Sequence, residues 1–249
     1  MKKRDNCILC NSTDFRFITE VSEQKLVECN SCGLVFMQEY FGVGEYENSH
    51  FEDDQRGEIM KSFADNTPIG LLRFAYFCQI RPKEYITALE IGCGSGSFLS
   101  ILGNDRTINY VGLEPSTKSA AFCQKIGLNV LPITFESWIE EFAELVDIVF
   151  AFHVIEHMEN PRQFLSDIYN VLVDDGIAMI ELPILNIAMK REEGFGLNYF
   201  QKYHLFDFCD HHIERLFEEE GFEIISKSVP IDQFPKEKNV LYILKKRQR

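Results

Sequence analysis

Past Glu84 the chain alternates compact apolar runs with amphipathic stretches, and this rhythm decides the fold class. A short apolar run bounded by turn residues predicts a buried strand, and a stretch with one apolar face predicts a helix that covers it. On this reading strands span 87–91, 109–113, a short piece around Val130, 146–152 and 177–182. Helices start at Ser97, follow Ser116 to about Lys125, and cover 137–142. Pro161 opens another, on which Phe164, Leu165, Ile168 and Leu172 share a face. The turn Asp174-Asp175-Gly176 leads into the strand at Ile177. An irregular stretch reaches about Phe206, a helix runs on to Glu220, Gly221 ends it, and strands over 222–229 and 239–244 follow. Strands alternating with helices predict an α/β architecture: a doubly wound, mostly parallel sheet with helices on both faces.

The amino-terminal part breaks this rhythm. Phe15, Phe17 and Val27 read as short strands, and so do Leu34, Val35 and Phe36. Around them Cys7-x-x-Cys10 and Cys29-x-x-Cys32 are separated by 18 residues, the spacing of a two-knuckle zinc ribbon. Each pair lets two thiolates reach one ion from a tight turn, and a unit this small needs the metal to fold. Four thiolates close a tetrahedral site, so a structural zinc on Cys7, Cys10, Cys29 and Cys32 is expected. Zinc-based RNA recognition and a redox dithiol are the alternatives. Cys78, Cys93, Cys123 and Cys209 lack such spacing and are expected to be small apolar fillers. Between ribbon and sheet, 45–65 is acidic and carries Tyr46, Phe51 and Phe63, which predicts a linker helix or a lid. The organisation is then a zinc-ribbon segment over 1–40, linker or lid helices over 41–83, and an α/β domain over 84–249.

Composition narrows the partners. The 249 residues are 45% hydrophobic, enough for a packed core, and carry a net charge of −14. Phosphate backbones need clustered Lys and Arg, and the dense basic clusters here are terminal, Lys2-Lys3-Arg4 and Lys245-Lys246-Arg247. No nucleic-acid partner is expected. Met1 is followed by charge rather than an apolar stretch, and no apolar run is long enough to span a bilayer, so no membrane partner is expected either. Eight cysteines without a secretory leader point to a reducing, cytoplasmic setting. Oligomeric state is not legible.

The chemistry concentrates in Leu89-Glu90-Ile91-Gly92-Cys93-Gly94-Ser95-Gly96. Glycine lets the backbone turn sharply and lets a ligand lie against it. The dinucleotide fingerprint is G-x-G-x-x-G, whereas this chain has G-x-G-x-G. A cofactor without a pyrophosphate has no use for the longer cradle. Glu114, 22 residues past Gly92 at the end of the next strand, is placed to accept both ribose hydroxyls. With Asp147 and His153-Val154-Ile155-Glu156-His157 it is expected to converge on one crevice at successive strand ends.

These residues resemble the class I S-adenosylmethionine-dependent methyltransferases from about Ile86 to Gly221. Leu-Glu-Ile-Gly-Cys-Gly-Ser-Gly is similar to that family's first motif, which implies that Glu90, Gly92, Cys93, Gly94 and Gly96 hold the methionine end of the cofactor. Val111-Gly112-Leu113-Glu114-Pro115 resembles the second, with Glu114 and Pro115 at the ribose. Thr134, Phe135 and Glu136 fall where the third approaches the adenine. The resemblance implies a Rossmann-like sheet of seven strands with one antiparallel strand. The segment from Cys7 to Phe36 resembles the zinc-binding segment of methyltransferases that act on nucleotide sugars and other small metabolites, often for surface polysaccharides or antibiotics. That implies S-adenosylmethionine and zinc as cofactors and a small-molecule substrate. Tyr203-His204 stands where carbon-methylating relatives carry Glu-His, which disfavours carbon methylation. An RNA base methyltransferase and a non-catalytic scaffold of the same fold remain as alternatives.

The candidates for handling the acceptor are His153, His204 and Tyr46. His153 follows the fourth strand and, as a histidine, is expected to remove a proton near neutral pH and to border the cofactor. His204 lies in the irregular stretch that should roof the site, and Tyr46 would act if its segment folds over the cofactor. Glu156 and His157 are expected to brace a loop. Trp138 is expected in the core, Glu218-Glu219-Glu220 on a solvated helix face, and Lys190-Arg191 in solvent.

Overall fold

The computed structural model describes residues 1–42, 56–81, 83–142, 144–185, 200, 202–229 and 238–248. Two sheets organise them. The amino-terminal sheet contains β1 (Lys2–Lys3), β2 (Phe15–Val21), β3 (Gln24–Cys29) and β4 (Val35–Tyr40), all antiparallel. Its fifth strand comes from far along the chain: β10 (Phe206–Asp207) pairs with β4, Phe206 opposite Phe36 and Asp207 opposite Val35.

The larger sheet comprises β5 (Ile86–Ile91), β6 (Ile108–Leu113), β7 (Val130–Leu131), β8 (Val146–Phe152), β9 (Leu172–Ile184), β11 (Phe222–Ser228) and β12 (Lys238–Lys246). Their spatial order is β11-β12-β9-β8-β5-β6-β7. β12 alone is reversed, antiparallel to both β9 and β11, so the predicted seven-stranded, Rossmann-like sheet is what the chain forms. Every residue of β8 is buried, because helices cover both faces of a parallel sheet. Leu89, Ile91, Val149 and Ala151 face one core, and Ala88, Ile148, Phe150 and Phe152 face the other, the two-residue period of strands. The chain runs from β5 outward to β6 and β7, then returns to β8 on the other side of β5. Such a reversal of winding opens a crevice at the carboxyl ends of the strands.

Helices α1 (Arg56–Ile80), α2 (Ser97–Leu102), α3 (Thr117–Lys125), α4 (Phe135–Phe142), α5 (Pro161–Val171) and α6 (Asp210–Glu219) complete the described elements. Ser116 caps α3 and Asn160 caps α5, each accepting from the backbone N–H three residues on. No described helix is long and apolar enough to cross a membrane.

Several expectations change. Asp147 sits at the start of β8, not its end. Its carboxylate accepts from Thr87 N and Oγ1 at 2.8 and 3.0 Å and pairs with Lys83 at 2.9 Å, so it ties two strand beginnings together on the edge away from the crevice. Leu172 leaves the helix face because the chain is already extended there and β9 begins. Cys78 is exposed on α1, whereas Cys93, Cys123 and Cys209 are buried. Trp138 is core, with its ring stacked 6.3 Å from that of Phe135.

Candidate functional site

The glycine turn after β5 holds three residues with positive φ: Gly92 (67°), Gly94 (54°) and Gly96 (76°). They are glycine for different reasons. A Cβ on Gly96 would stand 2.6 Å from Leu128 Cδ1 and 2.8 Å from Cys123 Sγ, and one on Gly92 would stand 2.9 Å from Val154 Cγ2. A Cβ on Gly94 would meet nothing within 4 Å, so the middle of the turn fronts open space. Gly96 N donates to Cys93 O at 2.9 Å and closes the turn.

Glu114 follows β6. Its Oε2 accepts from Gly94 N at 2.7 Å and its Oε1 from Ser116 N at 2.9 Å, which binds the second strand end to the glycine turn. Glu90 lies beneath, 4% exposed, with no hydrogen-bond partner for Oε2 among the described residues. Burial pushes its carboxyl up to about 8; Arg73 opposes the rise and Cys123 and Glu114 add to it. At neutral pH Glu90 is therefore mostly protonated.

A cavity of about 440 Å³ opens at these strand ends. Gly92, Glu114, Pro115, Thr134 and Phe135 line it beside the glycine turn. Gln24 of β3 and Phe41, just past β4, also line it, with His153, His157, Lys202 and Tyr203. Thr134 also caps α4, accepting from Ser137 N at 3.3 Å, and Phe135 packs edge-on to Phe164 at 5.9 Å. Glu90, Cys93, Gly94, Gly96 and His204 stand outside the lining. Tyr46, Phe51, Lys190 and Arg191 lie outside the described residues.

His153 takes a left-handed backbone, φ 57°, while its N–H donates to Glu181 O at 2.8 Å. Its ring lies between two carboxylates: Nδ1 is 3.4 Å from Glu156 Oε1 and Nε2 is 3.3 Å from Glu181 Oε1. Burial alone would lower its pKa, but the two carboxylates outweigh burial and raise it to about 9. His153 is thus a cation at neutral pH and a donor, not the proton acceptor expected of an unperturbed histidine. Glu181 in turn accepts from Arg73 through Nε at 2.9 Å and Nη2 at 2.8 Å, a bidentate pair buried on both sides. The Arg73 guanidinium also lies 4.1 Å over the Phe152 ring.

Beyond β8 the chain makes a single 3-10 turn, Ile155–His157. Glu156 there is wholly buried, and neither carboxylate oxygen has a hydrogen-bond partner among the described residues. Burial would raise its pKa, but His153 and the neighbouring His157 and His204 outweigh burial and hold it at about 2. His157 braces the loop as expected, with Nδ1 2.9 Å from Tyr203 O and its ring edge-on to His204 at 4.9 Å. Burial lowers His204 to about 4.

The four amino-terminal cysteines gather as well. Cys7 and Cys29 each accept at O from the N–H four residues on, Asn11 and Gly33, at 2.9 and 2.8 Å. Those two residues carry the positive φ that each knuckle turn needs. Sγ of Cys7 is 3.5 Å from that of Cys32, Cys10 is 3.5 Å from Cys29, and the four lie within 4.8 Å of one another. Zinc–sulfur bonds of about 2.3 Å give tetrahedral edges of roughly 3.8 Å, so the donor set suits a zinc ion.

Sequence reasoning missed Arg73, Glu181, Gln24, Phe41 and Lys202. Glu181 had a signal, a lone charge inside the apolar run 177–182. Gln24 had none: its Nε2 reaches Lys202 O, 178 positions away, at 2.6 Å.

A family profile described as "Methyltransferase domain" matches residues 63–227. Among curated relatives, a methoxy mycolic acid synthase of Mycobacterium tuberculosis is 31% identical over 119 residues, 45% of this chain and 41% of that one. A ubiquinone biosynthesis O-methyltransferase of Caulobacter vibrioides is 31% identical over 114 residues, 44% of each. The matches thus span less than half of either relative's length. Among solved structures, the plantazolicin methyltransferase BamL, in complex with a desmethyl plantazolicin analogue and S-adenosylhomocysteine, superposes with a TM-score of 0.61. That match covers 82% of this chain and 95% of BamL at 13% identity, a likeness of fold. The profile covers most of the chain, the sheet has the seven-stranded order with one reversed strand, and a glycine turn and a carboxylate occupy adjacent strand ends: the chain belongs to the methyltransferase domain family, of the class I, S-adenosylmethionine-dependent type.

Proposed function

We propose that this chain transfers a methyl group from S-adenosylmethionine to a small polar metabolite, a nucleotide-linked sugar or a related phosphorylated precursor, in surface-polysaccharide or secondary-metabolite synthesis. One observation carries the reading. A single cavity joins the strand ends at Gly92 and Glu114 to a second group of polar side chains, His153, His157, Lys202 and Tyr203. Bound S-adenosylmethionine supplies the methyl as an electrophile on a sulfonium.

The chain's own residues bind and align. Gly94 leaves open space for a ligand against the main chain, and the unpartnered Glu90 oxygen suits the ammonium of a methionine moiety. Glu114 and Pro115 take the ribose, and Thr134 and Phe135 take the adenine. Cys93 and Gly96 shape the turn. Elsewhere along the cavity Lys202 faces the acceptor's phosphate, and His153, its two ring nitrogens turned to Glu156 and Glu181, presents a fixed positive charge to the acceptor. His204 acts from behind the wall. The four cysteines hold a structural zinc, which keeps Gln24 and Phe41 against the cavity. In such a site rate comes mainly from holding nucleophile and methyl in line.

The acceptor class is tested with labelled S-adenosylmethionine against a panel of nucleotide sugars, phosphorylated precursors and RNA. Label is expected in a small phosphorylated compound; label in RNA alone overturns the acceptor class. Calorimetry of Glu114→Ala tests the cofactor site. Charge-assisted hydrogen bonds are worth about 1.5–3 kcal/mol each, so cofactor Kd is expected to rise about tenfold to several hundredfold. An unchanged Kd removes Glu114 from the site.

A further inference from the structure

We propose that Glu156, His157 and His204 form a divalent metal site on the acceptor side of the cavity, separate from the four cysteines, for a first-row transition ion with open positions toward the acceptor's oxygens. One donor atom from each of the three residues lies within 4.8 Å of the others. Metal–ligand bonds of about 2.1 Å put donor atoms roughly 3–3.5 Å apart, a contraction within reach of side-chain torsions.

The strongest argument is Glu156. A wholly buried carboxylate is ordinarily covered by hydrogen bonds, since burying it without them costs several kcal/mol, roughly. Both of its oxygens lack a donor among the described residues. His153 is near, but at 3.4 Å and shared with Glu181 it gives Glu156 an ion pair without a hydrogen bond. A metal ion bonded directly to the carboxylate supplies what is missing.

The histidines are prepared in the way metal ligands usually are. The carbonyl of Tyr203, 2.9 Å from Nδ1 of His157, takes that N–H and leaves the lone pair on Nε2. The main chain fixes the cluster, because Leu205 N donates to Glu156 O at 2.8 Å and holds the residue after His204 to the 3-10 turn. His157 lines the cavity, which gives the ion a face toward the acceptor. Two imidazoles and one carboxylate with open positions make a zinc- or iron-type catalytic set, not a closed structural one.

Titration with Co²⁺ alone tests the site, apart from whichever acceptor is methylated. Thiolate-bound Co²⁺ shows strong sulfur-to-metal absorption, whereas imidazole and carboxylate ligands give only d–d bands. One Co²⁺ per chain is expected with d–d bands and no sulfur transitions, bound at least tenfold more weakly by Glu156→Gln and His157→Gln. Retained S-adenosylmethionine binding reports that the variants are folded. Should Glu156→Gln not fold, His157→Gln, on the cavity wall, decides alone. Absence of a non-thiolate Co²⁺ band in the unaltered chain, or unchanged affinity in the folded variants, overturns the proposal.

Discussion

Glu90 combines full burial, an oxygen without a partner and a pKa raised to about 8. Unfolded, a glutamate ionises near 4.3. Between those values the folded chain holds a proton that the unfolded chain has released, so stability falls as pH rises through this window and levels off above about 8. Glu90→Gln removes the liability. Its stability in urea is expected to match the parent near pH 4 and to exceed it increasingly toward pH 8, by at most about 1.4 kcal/mol per pH unit across the window. A gap that is constant with pH would show that Glu90 does not titrate in this window. The same group predicts linkage with ligand: a cofactor ammonium favours the carboxylate, so binding at pH 7 is expected to release a proton, read by calorimetry in buffers of different ionisation enthalpy. Glu114 was legible from its offset after the glycine turn. Glu156 was legible only as a loop residue, because a sequence shows that an acid follows a strand but not whether anything solvates it.

The central strands β5, β6 and β8 were legible nearly residue for residue, since a short, nearly continuous apolar run is what a strand buried on both faces requires. Asp147 was misplaced because a strand's sequence does not say which end carries the ligand. The buried pair between α1 and β9 escaped entirely. Arg73 occupies one turn of a 25-residue helix, and its partner lies 108 positions away. Arg73→Met keeps the bulk of the side chain but strips Glu181 of its bidentate partner. Breaking such a buried pair costs about 3–5 kcal/mol, and His153, 3.3 Å from Glu181 Oε1, stays as a partner, so the lower end of that range applies. Chemical denaturation is expected to show a loss of that size. A loss under 1 kcal/mol, roughly, would mean that solvent reaches Glu181.

One apolar core runs through both sheets: Leu26, Leu34 and Phe36 share it with Phe206, Phe208 and Leu216. The clustering of the four amino-terminal cysteines was legible from their spacing, but the lodging of that unit against the cavity was not, since that depends on contacts between residues over a hundred positions apart. Under the proposed function, Cys10→Ser is expected to lose zinc, to lower the melting temperature, and to raise the acceptor KM more than the cofactor Kd, because Gln24 and Phe41 line the cavity beside Lys202, the residue proposed to face the acceptor. Metal analysis, thermal melts and the two affinities measure this. Equal loss at both ends would make the ribbon a global stabiliser only.

Strand β4 has a consequence for anyone handling this protein. Along it, Glu39 and Tyr40 hold Lys3 and Lys2, while Val35 and Phe36 hold Asp207 and Phe206. Lys2 also reaches Glu159, a cavity-lining residue, at 2.7 Å. The first residues of the chain are therefore fastened to the same short ribbon that positions the loop around His204. An affinity tag fused beside Lys2, convenient and remote by residue number, sits mechanically next to the cavity, whereas one placed after Lys246 leaves the larger sheet at the opposite edge, where Lys245 lies against Ile177.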